Sequence, residues 1–289
     1  MQYYTLTGAK RQAIAVHDGE TAYDLTSAVD AIESFRDLAH AAHIADTTID
    51  DIARSLFDRA TELSVDELQE RAACPTTPNE VWAAGVTYHI SEKAREAESG
   101  MPDVYLDVYE GERPEIFFKA TPSRTVGPND AIGVREDSSW DVPEPELGIV
   151  LYRGNIVGYT VGNDVSSRSI EGENPLYLPQ AKIYDRCCAI GPCIATPDTV
   201  EDPHELEMQM TIMRDEEILF EGSASTSEMV KTCEDLVSYY TRHNAVPEMA
   251  VLLTGTALVP DDSFSLQPGD NVDITIEDIG TLQNSVTLV

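Results

Sequence analysis

Two apolar runs parted by only three residues constrain this chain more than any other feature. In the stretch DVPEPELGIVLYRGNIVGYTVGND, residues 147–152 and 156–161 flank Arg153, Gly154 and Asn155. So short a connection allows the two runs to pair as strands only if they are antiparallel. The strand period of two, carried back from residue 147, puts Glu144 and Glu146 on one face. Asp164 follows at the far end of the second run, which the turn brings back beside the two glutamates. Carboxylates gathered within ~4 Å repel by ~4 kcal/mol per pair at an effective dielectric of about 20, so the arrangement calls for a cation. Oxygen-only ligation favours a hard divalent ion, Mg²⁺ or Mn²⁺.

That reading has to be weighed against composition. The chain carries 52 Asp and Glu against 19 Lys and Arg, a formal net charge of -33 over 289 residues. A lone carboxylate in such a chain is ordinarily solvated surface. The Glu-x-Glu spacing by itself is therefore weak, and its weight comes from the strand, turn and Asp that follow. A charge of this sign repels a phosphate backbone and argues against nucleic-acid binding. The acidic residues are spread along the chain, and 42% of residues are hydrophobic, which indicates a folded protein with an acidic surface. Such a surface suits a halophilic cytoplasm, where concentrated salt shortens charge repulsion to a few ångströms. No window approaches the ~20 apolar residues of a membrane span, and the start MQYYTLTGAKRQ has no apolar signal core. A cytoplasmic protein is expected. The five cysteines, Cys74, Cys187, Cys188, Cys193 and Cys233, are odd in number and lack paired CxxC spacing, so they read as reduced packing residues.

The texture changes near residue 75. Residues 1–75 combine strand-like runs (YYTL, IAV, AYDLT) with helical patterns over 28–43 and 48–61, and Ser64 with Glu67 forms a capping box. CPTTPNEV, residues 74–81, reads as a linker. Beyond it the runs VWAAGV, EIFFKA, ELGIVLY, NIVGYTVG, MQMTIMR, EEILFEG, AVLLTGT and NVDITIEDI read as short strands. Ser225 and Glu228 are expected to cap a helix running through MVKTCEDLVSYYTRH. The expected architecture is α+β and mostly β, with a small N-terminal α+β domain at 1–75 and a larger domain at 76–289.

Other residues qualify for chemistry. Lys182, in LPQAKIYDRCC, is one of only five lysines and lies among apolar residues. It reads as a group that holds a substrate carboxylate or shuttles a proton, or as one half of a structural ion pair. In LLTGTALVP, Gly255 and Thr256 offer a backbone N–H and a hydroxyl to a ligand, or form an ordinary turn.

These motifs together resemble the fumarylacetoacetate hydrolase superfamily: Glu144-x-Glu146, YTVGNDVSSR with Asp164, AKIYD with Lys182, the TGT of 254–256 and the closing LQPGDNVDITIEDIGTLQNSV. The resemblance covers residues 81–289. It implies a pseudo-symmetric β-sandwich roll assembled as a homodimer or homotetramer. It also implies that Glu144, Glu146 and Asp164 are metal ligands, that Lys182 lies against substrate, and that Thr256 contacts it.

The superfamily hosts several reactions, so the fold leaves the activity open. Hydrolytic members carry a segment like G-x-N-Y-x-x-H-x-x-E, whose His and Glu activate water. Here GVTYHISEKA puts Ser91 and Ala94 at those places, with His89 and Glu92 shifted by two. GVTYHISEKAREAES, VYEGERPEIFFKATPSRTVGP, DSSWDVPEPE and SSRSIEGENPLYLPQAKIYDRCCAIGP instead resemble the branch that dehydrates 2-keto-3-deoxy-D-xylonate and 2-keto-3-deoxy-D-arabinonate to 2,5-dioxopentanoate, a lyase reaction of pentose (D-xylose) degradation. With this chemistry Lys182 and Glu115, the latter present in this branch's motif, are expected to carry protons, Arg168 to orient ligands or bind substrate, and Ser91 to hydrogen-bond substrate hydroxyls. Glu115 could instead pair with Arg113 or Arg124, and Arg168 could be a packed salt-bridge residue. An acylpyruvate C–C hydrolase and a catalytically silent keto-acid-binding protein remain as alternatives. The C4 configuration, the identity of the general base and the physiological ion stay open.

Overall fold

The hairpin expected around residues 153–155 lies near the centre of the largest sheet. In the computed structural model, which describes residues 1–8, 12–88 and 107–289, strand Pro145–Tyr152 pairs antiparallel with Asn155–Asp164. Arg153 and Gly154 both have positive φ, 50° and 79°, which is what a tight two-residue hairpin turn with the native twist requires. The partners on either side are Met249–Leu253 and Cys188–Ala195. Parallel pairing of Met249–Leu253 with Glu80–Gly85, and antiparallel pairing of the latter with Glu115–Ala120, carry this half of the sheet to its edge. On the other side Gln2–Leu6 pairs with Cys188–Ala195, and Ala13–His17, Ala22–Asp24 and Thr61–Leu63 extend the same sheet outward.

The central strand explains its own composition. Every residue of Pro145–Tyr152 is buried, because both faces of the sheet are covered. Leu147, Ile149 and Leu151 point into a core shared with Met208, Met210, Ile274 and Leu282 of a five-stranded sheet. Val150 and Tyr152 point the other way, into a core with Phe35, Leu38 and Ala42 of the helix Phe35–Ala45. Each fully buried aliphatic side chain contributes roughly 1.5–3 kcal/mol of transfer free energy. The result is mostly β, two sheets packed face to face with helices on the outer face. Among the described residues, no helix is long and apolar enough to cross a membrane.

The capping box at Ser64 and Glu67 is present and starts the helix Val65–Arg71. Of the N-terminal helical segments, Phe35–Ala45 begins later than the sequence pattern suggests, after Ser34, whereas Ile49–Arg54 begins where it suggests, after Thr48, and ends sooner. One expectation is corrected. Ser225 caps only the short turn Thr226–Glu228, and the helix begins at Cys233, with Thr232 and Asp235 forming its capping box. The intervening residues are drawn into tertiary pairing instead: Met229 bridges to Tyr88 and the Val230 N–H donates to the Thr87 carbonyl.

Candidate metal centre

The register of the hairpin makes the cradle. Pro145 lies opposite Asn163 and Glu146 opposite Gly162, so Glu144 falls opposite Asp164, whose N–H donates to the Glu144 carbonyl at 2.9 Å. Asn163 accepts the Glu144 N–H through Oδ1 at 3.1 Å, which fixes the chain just before the strand. One carboxylate oxygen from each of Glu144, Glu146 and Asp164 lies within 4.8 Å of the others, and all three residues are buried.

Cationic side chains surround two of the three. Lys182, at the end of the helix Leu178–Lys182, places Nζ 2.8 Å from Glu144 Oε2, 3.1 Å from Asp164 Oδ2 and 2.6 Å from Ser166 Oγ. Arg168 reaches Glu144 Oε1 at 3.1 Å. Lys119 reaches Asp164 Oδ1 at 2.5 Å. Burial alone would raise the Glu144 carboxyl, but Lys182 and Arg168 outweigh it and hold it down at about 2. Burial also works against charge on Lys182, yet Asp164 and Glu144 more than compensate and keep it an ammonium.

Glu146 differs. Its Oε2 accepts the Gly255 N–H at 2.6 Å, in a turn where Gly255 has φ +90° and a Cβ would overlap Thr87. Among the described residues no cationic side chain pairs with it. Burial and then the charges of Asp164 and Glu144 push its carboxyl well above the ordinary range. A buried carboxylate in that position is stabilised by a further positive charge, and an all-oxygen donor set suits a hard divalent ion. The residues present fit the ion that the sequence suggested.

Glu115 stands opposite Gly85 in the strand pair. A Cβ on residue 85 would overlap the Glu115 carboxylate, so glycine leaves the room that this side chain occupies. Glu115 pairs with neither of the arginines considered for it: Arg113 lies over the Tyr239 ring and Arg124 donates to Thr121 Oγ1. Burial raises its carboxyl, with Lys182 working in the opposite direction. Phe117, two residues on, lies 5.4 Å from Lys182 Nζ, so this strand face looks at Lys182. Gly85→Ala is expected to displace the Glu115 carboxylate and lower kcat about 10²-fold in a protein with an unchanged circular dichroism spectrum. Wild-type kcat would show that the carboxylate position is immaterial.

Thr256 turns its hydroxyl to the Leu258 carbonyl at 3.3 Å, and the neighbouring Gly255 N–H is the group that reaches the cradle. Ser91, and with it His89, Glu92 and Ala94, lies outside the described residues. Lys119, Ser166 and Glu171 were not singled out by the sequence. Glu171 Oε2 is buried with no hydrogen-bond partner among the described residues, and its charge bears on both Lys182 and Glu115. A signal for Lys119 was available, since it shares strand parity with Glu115 and is one of five lysines in the chain.

Known proteins resemble this chain along its length. The family described as fumarylacetoacetate (FAA) hydrolase C-terminal matches residues 80–287. A probable 2-keto-3-deoxyxylonate dehydratase of Haloferax volcanii is 63% identical over 289 residues, covering 100% of both chains. The 2-dehydro-3-deoxy-D-arabinonate dehydratase of Saccharolobus solfataricus is 44% identical over 239 residues, 78% of this chain and 80% of the relative. A solved structure of 2-keto-3-deoxy-D-arabinonate dehydratase complexed with magnesium and 2,5-dioxopentanoate superposes with a TM-score of 0.83 at 35% identity, covering 100% of this chain and 99% of that one.

Proposed function

The chain belongs to the fumarylacetoacetate hydrolase family, and we propose on that footing that it is a magnesium-dependent hydro-lyase converting a 2-keto-3-deoxy-D-pentonate to 2,5-dioxopentanoate. The observation that supports this most is full-length similarity to dehydratases of such acids, met by a site that holds the groups an elimination needs.

Glu144, Glu146 and Asp164 hold the divalent cation. When bound, it supplies Lewis-acid stabilisation of charge developing on the keto oxygen, an effect of several kcal/mol. The chain's own residues do the rest. Glu115, kept protonatable by burial, takes the C3 proton. Lys182 faces the hydroxyl that departs from C4. The C3–H and C4–O bonds break, the C3–C4 double bond forms and water leaves. Loss of a proton from C5 and gain of one at C3 then move the double bond to C4–C5, and the resulting enol becomes the aldehyde as its hydroxyl proton leaves and C4 gains a proton. Arg168, Thr256 and Ser91 complete the contacts to the acid in this reading. We also propose a homodimeric or homotetrameric assembly and a cytoplasm rich in salt, to which the charge of -33 is suited.

The test uses metal-stripped protein in molar KCl, supplied with 2-keto-3-deoxy-D-xylonate or 2-keto-3-deoxy-D-arabinonate and, separately, an acylpyruvate. 2,5-Dioxopentanoate is expected only after Mg²⁺ is restored, with activity declining as KCl is diluted. Pyruvate from the acylpyruvate, with the sugar acids untouched, would replace the dehydratase by a C–C hydrolase. Binding without turnover of either would leave a keto-acid-binding protein.

A further inference from the structure

Lys119 is fully buried, and its ammonium donates to two backbone carbonyls and forms an ion pair with one carboxylate. Nζ lies 2.5 Å from Asp164 Oδ1, 2.8 Å from the Val165 carbonyl and 2.6 Å from the Lys182 carbonyl. The strand carrying it is irregular at this point. Val81 faces Ala120 and Trp82 faces Phe118, which leaves Lys119 as the extra residue of a bulge, a device that re-aims a side chain. Tyr184 closes the underside, its ring centroid 5.7 Å from Nζ and its hydroxyl donating to the same Val165 carbonyl at 3.0 Å.

Two consequences follow from that geometry. Asp164 Oδ1 is held by Lys119, so Oδ2, which Lys182 Nζ meets at 3.1 Å, is the oxygen left to share with an ion. The Lys182 carbonyl is tied at the C-terminal end of its helix, which sets where Lys182 Nζ emerges, between Glu144, Asp164 and Ser166. A carboxylate with both oxygens free can bind an ion through both, and two-oxygen ligation suits the larger, more flexible shell of Ca²⁺ over the strict octahedron of Mg²⁺.

We propose that Lys119 is a positioning residue which restricts Asp164 to one-oxygen ligation, so biasing the cradle toward a small octahedral ion, and which fixes Lys182 for the reaction. This rests on the metal-cradle reading above and not on the identity of the sugar acid.

The experiment measures Mg²⁺, Mn²⁺ and Ca²⁺ dissociation constants of the metal-stripped protein by calorimetry, without substrate, for wild type, Lys119→Met and Lys119→Gln. Both variants are expected to shift the ratio of Ca²⁺ to Mg²⁺ affinity by about tenfold toward Ca²⁺ with Mn²⁺ binding retained. They are also expected to lower kcat about 10²-fold through misplaced Lys182, with KM little changed. A merely structural lysine would weaken all three ions together and leave their ratio as in wild type, and that result overturns the proposal. If neither variant folds, infrared difference spectra of wild type labelled with ¹³C-carboxyl aspartate, recorded on Mg²⁺ addition, decide the matter. A widened splitting of the carboxylate stretches marks one-oxygen ligation and supports the proposal; a narrowed splitting marks two-oxygen ligation and overturns it. Wild type that binds no divalent ion at all would instead remove the cradle reading itself.

Discussion

Asp164→Asn is expected to lose activity and stability together. The carboxylate is 1% exposed and answers two ammonium groups, Lys119 at one oxygen and Lys182 at the other. An amide keeps the shape and removes the charge. Leaving Lys119 without its carboxylate and Lys182 with Glu144 alone costs about 3–5 kcal/mol, read as a lower midpoint in urea or heat. Loss of one oxygen ligand and of the Lys182 geometry removes several kcal/mol of transition-state stabilisation. At ~1.4 kcal/mol per factor of ten, kcat/KM is expected to fall by about three powers of ten. Calorimetric titration with Mn²⁺ should show weakened binding in the same variant. Turnover above a tenth of wild type would remove Asp164 from the cradle.

Glu115→Gln is expected to show the reverse combination, with activity lost and stability kept. A positioned proton carrier contributes about 10²–10⁴-fold, so kcat should fall by that amount with KM little changed. The pH profile carries the stronger signature. Burial raises the Glu115 carboxyl above its ordinary value, Lys182 opposing. Since the basic form takes the C3 proton, kcat/KM of wild type should climb as pH rises through that raised value, and the variant should lack this limb. The sign of the stability effect follows from the same shift. Between the unfolded and folded pKa the native state binds more protons than the unfolded one, so wild-type stability falls as pH rises across that window and stays reduced above it. The amide carries no charge to bury, so its midpoint at neutral pH should equal or exceed that of wild type. A variant that retains the acid limb would assign the limb to another group and remove Glu115 as the proton carrier.

What could be read in advance divides along physical lines. The hairpin was legible because a three-residue connection leaves one geometry, and Glu144, Glu146 and Asp164 converge as the strand period requires. Their environment was harder to foresee. Glu146 is set apart from Glu144 by which cations reach each of them, and Arg168, Lys182 and Lys119 arrive from separate segments. Strand Cys188–Ala195 is not among the runs read as strands from the sequence; it contains Gly191 and Pro192, residue types depleted in strands, yet it seats beside the cradle strand at the heart of the sheet. Ser225 and Glu228 have the spacing of a capping box, but local spacing carries no knowledge of Tyr88 and Thr87, which claim the next residues for pairing.

The two-residue turn at Arg153 and Gly154 bears on how a protein of this kind can change its trade. All three carboxylates sit on one hairpin, within a stretch running from 144 to 164, whose register is set by its own turn and ladder. Glu115 arrives on Glu115–Ala120, Arg168 on Arg168–Glu173 and Lys182 on Leu178–Lys182. The piece that grips an ion is thus inherited as one continuous segment, and the pieces that choose which bond breaks come from elsewhere in the chain. Substitutions in those other segments can alter what happens to a bound acid without reopening the hairpin. A lineage starting from this scaffold therefore has a short route to new chemistry.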